Sequence, residues 1–196
     1  MNDDAFRSFV FGRRGTLLAL PAVALAALGK PSAVSIATGL PLAFLGEAVR
    51  MWAVGYSGVT TRGDRVTAPR LVTAGPYAYV RNPLYVGNLL TAAGFAWAFT
   101  GKNDAATRTL LVGGSLAAML AVYTVIVPHE EDYLRTTFGA AFDDYVARVP
   151  RIVPLVEPAE PQEGSYDPDV IAKAESRTFA TFGAMLTVLA FKALRA

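Results

Sequence analysis

Charged residues are missing from long stretches of this 196-residue chain, and the apolar windows between them set the expected architecture. Gly15 to Gly29 lies between Arg14 and Lys30, while Pro31 to Gly46 is uncharged and continues past Glu47 and Arg50 to about Tyr56. Pro83 to Gly101 and Thr109 to Pro128 contain no Asp, Glu, Lys or Arg. A fifth window, Thr178 to Phe191, sits between Arg177 and Lys192. A helix needs roughly 20 apolar residues to cross the hydrocarbon layer. The pattern therefore predicts an all-α integral membrane bundle of about five transmembrane helices. The fifth window is short at about 1.5 Å per residue, so it is expected to cross by snorkelling, to lie in the interface or to pack on other helices. Gly29-Lys30-Pro31-Ser32 is a turn signal that pairs the first two windows as an antiparallel hairpin. Arg13-Arg14 before an apolar run also fits a secretory signal, even a twin-arginine one. Pro31 nevertheless leads straight into another apolar window with no clean cleavage region between.

The cations give the expected orientation. With the N-terminus cytoplasmic, Arg7, Arg13, Arg14, Arg62, Arg65, Arg70, Arg81, Arg135, Arg148, Arg151 and Lys173 share one side, against Lys30, Lys102 and Arg108 on the other. The two long polar segments, Ser57 to Asn82 and His129 to Ser176, then meet on the cytoplasmic face. Composition narrows the chemistry. The absence of cysteine excludes structural disulfides, thiolate metal sites and a thiol nucleophile, and a single His makes a His-built metal centre unexpected. No metal site is expected. A formal charge of +2 gives no basis for nucleic-acid binding. No segment points to an obligate protein partner.

In the first polar segment Gly75-Pro76 reads as a turn, and Asn82-Pro83 biases Asn82 away from helix so that Pro83 opens the next window. Tyr77, Tyr79, Tyr85 and Arg81 thus crowd a helix entrance. In the second, Tyr133, Leu134, Phe138, Phe142, Tyr145 and Val146 form an amphipathic helical pattern that extends the fourth window, breaks at Gly139 and stops at Pro150 and Pro154. Residues 157–169, rich in Pro, Glu, Asp and Gly, read as a solvated linker. There is no G-x-G-x-x-G, Walker or zinc pattern, so any small molecule is expected to be held by helices and loops at the membrane surface.

Two ordered motifs carry a resemblance. Leu71-Val72-Thr73-x-Gly75-Pro76-Tyr77-x-Tyr79-Val80-Arg81-Asn82-Pro83-x-Tyr85-x-Gly87 is followed, after a helix, by Glu130-Glu131-x-x-Leu134-x-x-x-Phe138-Gly139-x-x-Phe142-x-x-Tyr145-x-x-Arg148-Val149-Pro150. Together they resemble the isoprenylcysteine carboxyl methyltransferase and phospholipid methyltransferase family of membrane enzymes, over about Gly46 to Pro154. The resemblance implies a helical membrane fold with S-adenosylmethionine bound on the cytoplasmic side beneath a C-terminal amphipathic cap. It also implies a lipophilic substrate arriving through the bilayer. One departure is that the family usually has Arg-His-Pro where this chain has Arg81-Asn82-Pro83; Asn can replace a hydrogen-bonding His but not a base. The expected organisation is a single domain over 1–196: an N-terminal hairpin (1–56), a catalytic core (57–154), a linker (155–175) and a C-terminal apolar helix (176–196), the last not assigned by the resemblance.

S-adenosylmethionine carries a sulfonium, a carboxylate, an ammonium, a ribose and an adenine, so its pocket needs both signs of charge. Glu130 and Glu131 can accept from ribose or ammonium, Arg81 can pair with the carboxylate, and Tyr77, Tyr79 or Tyr85 can stack on adenine or face the sulfonium. The implied donor-binding set is Val72, Gly75, Pro76, Tyr77, Val80, Arg81, Asn82, Pro83, Tyr85, His129, Glu130 and Glu131. The bland alternative makes Glu131 and Arg135 an i,i+4 surface pair and the tyrosines an interfacial belt. Methyl transfer is an in-line displacement; a carboxylate acceptor wants a guanidinium to position it, and an amine wants a carboxylate to take its proton. Arg148 and Glu131 are the candidates for those roles. Glu47 and Arg50, three residues apart inside the second window, are either functional or a mutual ion pair. Gly87 and Gly94, and Gly113 with Ala117, permit close helix packing. The expected acceptor is a prenylated cysteine-like carboxylate, with a phospholipid amine or a small thiol as alternatives. A membrane sterol-type reductase using NADPH, which has similar C-terminal motifs, and a non-catalytic adaptor are the competing classes.

Overall fold

The computed structural model describes residues 3–58 and 68–195, all helix, turn or coil with no strand among them. Arg62 and Arg65 of the orientation argument lie outside the described residues. Six α-helices follow in order: α1 (Asp3–Leu28), α2 (Ala33–Ser57), α3 (Pro83–Phe99), α4 (Ala105–Phe138), α5 (Ala140–Arg148) and α6 (Asp169–Leu194). A 3-10 turn, Gly75–Ala78, precedes α3. Among the described residues four segments are long and apolar enough to cross a membrane: Phe9–Leu28, Ala33–Ser57, Ala105–Phe138 and Asp169–Leu194. α3, with 17 residues, is at the lower limit for a span. The chain is a multi-pass membrane protein.

The turn between α1 and α2 forms where Gly29-Lys30-Pro31-Ser32 predicts it, but the two helices do not pair as a hairpin: α1 packs chiefly on α4, and α2 on α3. Ser32 caps α2 in a reciprocal box with Ser35, and the turn is tied down when Lys30 N donates to Asn103 Oδ1 at 2.7 Å. α2 and α3 then pack along their whole length through glycines. A Cβ on Gly39 would lie 2.5 Å from Gly94 O, and one on Gly87 would lie 2.7 Å from Gly46 O, so any side chain would force the backbones apart. Gly113 differs from expectation: a Cβ built there would meet no neighbouring element within 4 Å, so its small size serves no helix packing within this chain.

α4 runs through Pro128 without a break and ends at Gly139, whose φ of +55° redirects the chain into α5. The last helix also differs from the short apolar window. It begins at Asp169, nine residues before Thr178, and the added turns accommodate Lys173, Glu175 and Arg177. At its far end Lys192 Nζ donates to Gly29 O at 2.9 Å, joining α6 to the turn between α1 and α2. There Leu25, Phe95, Phe99, Leu111, Phe182, Met185 and Leu189 form a core drawn from α1, α3, α4 and α6.

The segment between α5 and α6 is largely exposed but is not a free tether. Its backbone crosses the 3-10 turn region, with Leu155 N donating to Tyr79 O and Ala159 N to Ala78 O, each at 2.9 Å. Thr73 N donates to Glu163 O at 2.9 Å, and Asp167 N to Gly55 O at 2.8 Å. Tyr166 packs on Tyr56 with ring centroids 5.5 Å apart.

Candidate functional site

One cavity of about 730 Å³ runs from the 3-10 turn region into the bundle, a size typical of small-molecule sites. Its polar end is lined by Tyr77, Asn82, Tyr85, Glu130 and Glu131; its apolar arm by Leu18, Leu25, Phe95, Met119, Phe182 and Met185. Tyr77 and Glu130, drawn from the two polar segments, thus face one hollow.

Local sequence explains how each side chain reaches it. Gly75 adopts φ +62°, and a Cβ there would run into the Tyr56 ring, so only glycine permits this turn. The turn aims Tyr77 inward, and Tyr145 Oη of α5 holds it by donating to Tyr77 O at 2.7 Å. Burial pushes the Tyr77 phenol up to about 12, partly offset by its hydrogen bond with Ser57. Burial likewise raises the Tyr145 phenol. Both rings therefore stay neutral near pH 7. Pro83 opens α3 with Asn82 as its cap, which brings Tyr85 to the cavity beside Glu130 of α4.

Two ion clusters flank the cavity. In the first, Glu131, 4% exposed, gathers three donors. Arg81 Nε lies 3.1 Å from its Oε1, Arg151 Nε 3.0 Å from its Oε2, and Asn82 Nδ2 3.3 Å from its Oε1. Arg81 NH1 also donates to Val149 O, and Asn82 Nδ2 to Arg151 O at 3.1 Å. Arg135 meanwhile pairs with Asp143 at 2.9 Å, so the i,i+4 surface alternative for Glu131 does not form. In the second, Arg50 Nε lies 3.9 Å from Glu47 Oε2, and Arg50 NH2 donates to both carboxylate oxygens of Glu175, at 2.8 and 2.9 Å. Arg50 NH1 donates to Asn88 Oδ1.

Of the residues expected at the site, Glu47, Arg50, Val72, Tyr77, Arg81, Asn82, Pro83, Tyr85, Glu130 and Glu131 line the cavity. Gly75, Pro76 and Val80 shape the turn without lining it. His129 lies against Phe11, ring centroids 5.8 Å apart, and is also off the wall. Arg148 stands outside: its guanidinium donates to Glu160 O at 2.6 Å and to Asp144 O at 3.2 Å. Tyr79 packs on Trp52 at 6.0 Å. Sequence reasoning did not single out Asn88, Arg151 or Glu175. Asn88 follows Tyr85 by three residues and so faces the same way; Arg151 follows the Arg148-Val149-Pro150 motif directly; Glu175 had no local signal.

Residues 34–141, more than half of the chain, match the model of the phospholipid methyltransferase family. The chain belongs to that family. Among its relatives, protein-S-isoprenylcysteine O-methyltransferase B of Arabidopsis thaliana is 31% identical over 127 residues, covering 60% of this chain and 58% of the relative. The nickel-cobalt-cadmium resistance protein NccN of Alcaligenes xylosoxydans xylosoxydans is 32% identical over 116 residues, 59% of this chain and 46% of the relative. The protein-S-isoprenylcysteine O-methyltransferase of Schizosaccharomyces pombe is 32% identical over 92 residues, 44% and 34% respectively. The chain spans about half the length of the curated relatives it matches. No solved structure matches it. The family match covers α3, most of α2 and all of α4, but neither α1 nor α6.

Proposed function

We propose that this protein transfers the methyl group of S-adenosylmethionine to an acceptor dissolved in the membrane, the donor site facing the cytoplasm. The observation that carries the reading is the cavity of about 730 Å³ whose polar end continues into an arm walled by apolar residues of the bundle helices. The polar end has the mixed character the donor requires. Tyr77 and Tyr85 offer ring faces to a cation or a base, Glu130 offers acceptors to an ammonium or ribose, and Asn82 adds an amide. When bound, the donor supplies an activated methyl group on a cationic sulfur. The chain's part is to hold acceptor and donor in line and keep water out, and no covalent intermediate is needed. Arg81 and Glu131 hold each other, so their role is to lock the start of α3, α4 and the segment after α5 into one rigid wall. Acceptor positioning falls to Glu47 and Arg50 on the wall rather than to Arg148.

The names of the plant and yeast relatives favour an isoprenylated cysteine carboxylate as acceptor. A second reading, a lipid amine, is favoured by a specific feature: the carboxylate of Glu130 lines the cavity beside Tyr85. An amine needs a carboxylate to take its proton. Mass spectrometry of lipids extracted after incubation with a methyl-labelled donor decides between them. A base-labile labelled ester supports the carboxylate, and a base-stable labelled amine supports the second reading. Donor binding with no labelled lipid contradicts a membrane acceptor.

A further inference from the structure

Glu175 belongs to no motif and lies outside the family match, yet it is 0% exposed on a helix long and apolar enough to span a membrane. A carboxylate at such a position is expensive unless it is paired and hydrogen-bonded. Arg50 supplies the pairing through NH2, which donates to both Glu175 oxygens and reaches Thr178 Oγ1, one turn along α6, at 3.4 Å. The same guanidinium donates through NH1 to Asn88 of α3. α2, α3 and α6 thus converge on one side chain. Arg50, Asn88 and Thr178 are on the cavity wall and Glu175 is behind them, so Glu175 can act on the cavity only through its neighbours.

We infer that Glu175 is a positioning residue for the acceptor: it fixes the Arg50 guanidinium so that Arg50 and Asn88 present one rigid polar face where the polar end of the cavity meets its apolar arm. This rests on the methyl-transfer reading. A guanidinium at the end of a flexible stem samples many orientations, and holding it in one raises the fraction of bound acceptor in reactive alignment. It also makes α6 a part of the active site rather than a membrane anchor.

A purely mechanical strut between α2 and α6 gives a different outcome, because an apolar pair of similar volume replaces a buried ion pair with little loss of stability. The test uses the full chain in nanodiscs. The probes are labelled S-adenosylmethionine with S-farnesylated N-acetylcysteine and, separately, phosphatidylethanolamine in the disc; S-adenosylhomocysteine binding and thermal unfolding are read alongside. Glu175→Gln is expected to lower kcat/KM for the methylated probe about tenfold or more through acceptor KM or kcat, with S-adenosylhomocysteine affinity within about twofold. In an Arg50→Gln background, Glu175→Gln is expected to add nothing further. The triple variant Glu47→Met/Arg50→Met/Glu175→Leu, which removes the whole ion group, is expected to unfold near the wild-type temperature while losing acceptor turnover. Wild-type kcat/KM in Glu175→Gln, equal loss of donor binding and turnover, or additive losses in the double Gln variant overturn the assignment. A wild type that binds S-adenosylhomocysteine but methylates neither probe overturns it too, whereas one that binds no S-adenosylhomocysteine counts first against methyl transfer itself.

Discussion

The two ion clusters beside the cavity are opposites in charge and in origin. Around Glu131 two guanidiniums, Arg81 and Arg151, share one carboxylate, a formal charge of +1. Around Arg50 two carboxylates, Glu47 and Glu175, share one guanidinium, a formal charge of −1. The first gathers polar-segment residues at the end of the bundle that holds the 3-10 turn, with the Arg151 side chain 51% exposed. The second joins α2 to α6 and is enclosed, its Glu175 side chain 1% exposed. The difference separates two tasks. The base-rich cluster staples the ends of α3, α4 and the segment after α5 together, while the acid-rich cluster ties two helices across the cavity and faces its interior.

That contrast is sharpest when the shared ion of the base-rich cluster is removed. Glu131→Gln leaves two guanidiniums facing each other and is expected to cost about 3 kcal/mol of stability, read as a lower unfolding temperature in detergent with turnover falling in step. Loss of turnover at wild-type stability would instead make Glu131 a chemical participant. Next, Gly94→Val forces a side chain against the α2 backbone, where even the first carbon would come within 2.7 Å of Gly39 O. Such overpacking is expected to cost about 2 kcal/mol and to disturb the seam that carries Arg50, so acceptor turnover should fall more than donor affinity. Gly113→Ala, in open space, is the control and should leave both unchanged.

How much of this was legible in the chain follows from sequence distance. The turn between α1 and α2, the start of α3 at Pro83 and the break at Gly139 are written in local residues and form where those residues put them. Arg81, Asn82 and Glu131 sit within motifs, so their gathering is foreseeable, although the motif points Arg81 at the donor rather than at Glu131. The acid-rich cluster was half legible. Glu47 and Arg50 announce each other three residues apart, but Glu175 is 125 residues from Arg50 and sits among Lys173 and Arg177 in a stretch that reads as a polar flank. No periodicity reveals that such a flank continues a buried helix. Gly113 shows the converse: small residues in an apolar helix mark an interface only if a neighbour arrives.

Smaller effects refine the picture. Arg151→Ala removes a half-exposed partner while Arg81 continues to hold Glu131, and is expected to cost about 1 kcal/mol; a larger loss would make the two guanidiniums unequal in the opposite sense. Asn82→His introduces the residue more usual in the family. A ring N–H can still donate to Glu131, so activity is expected within about threefold of wild type. A large gain would show that this position takes part in chemistry rather than in the staple.

The central claim is that the polar end of the cavity binds a sulfonium-type methyl donor. Calorimetric titration of the purified full chain with S-adenosylhomocysteine, and in parallel with NADPH, tests it most directly. Saturable binding of S-adenosylhomocysteine, weakened by Tyr77→Ala, is expected, with no binding of NADPH. Binding of NADPH alone, or of neither compound by folded protein, would contradict it.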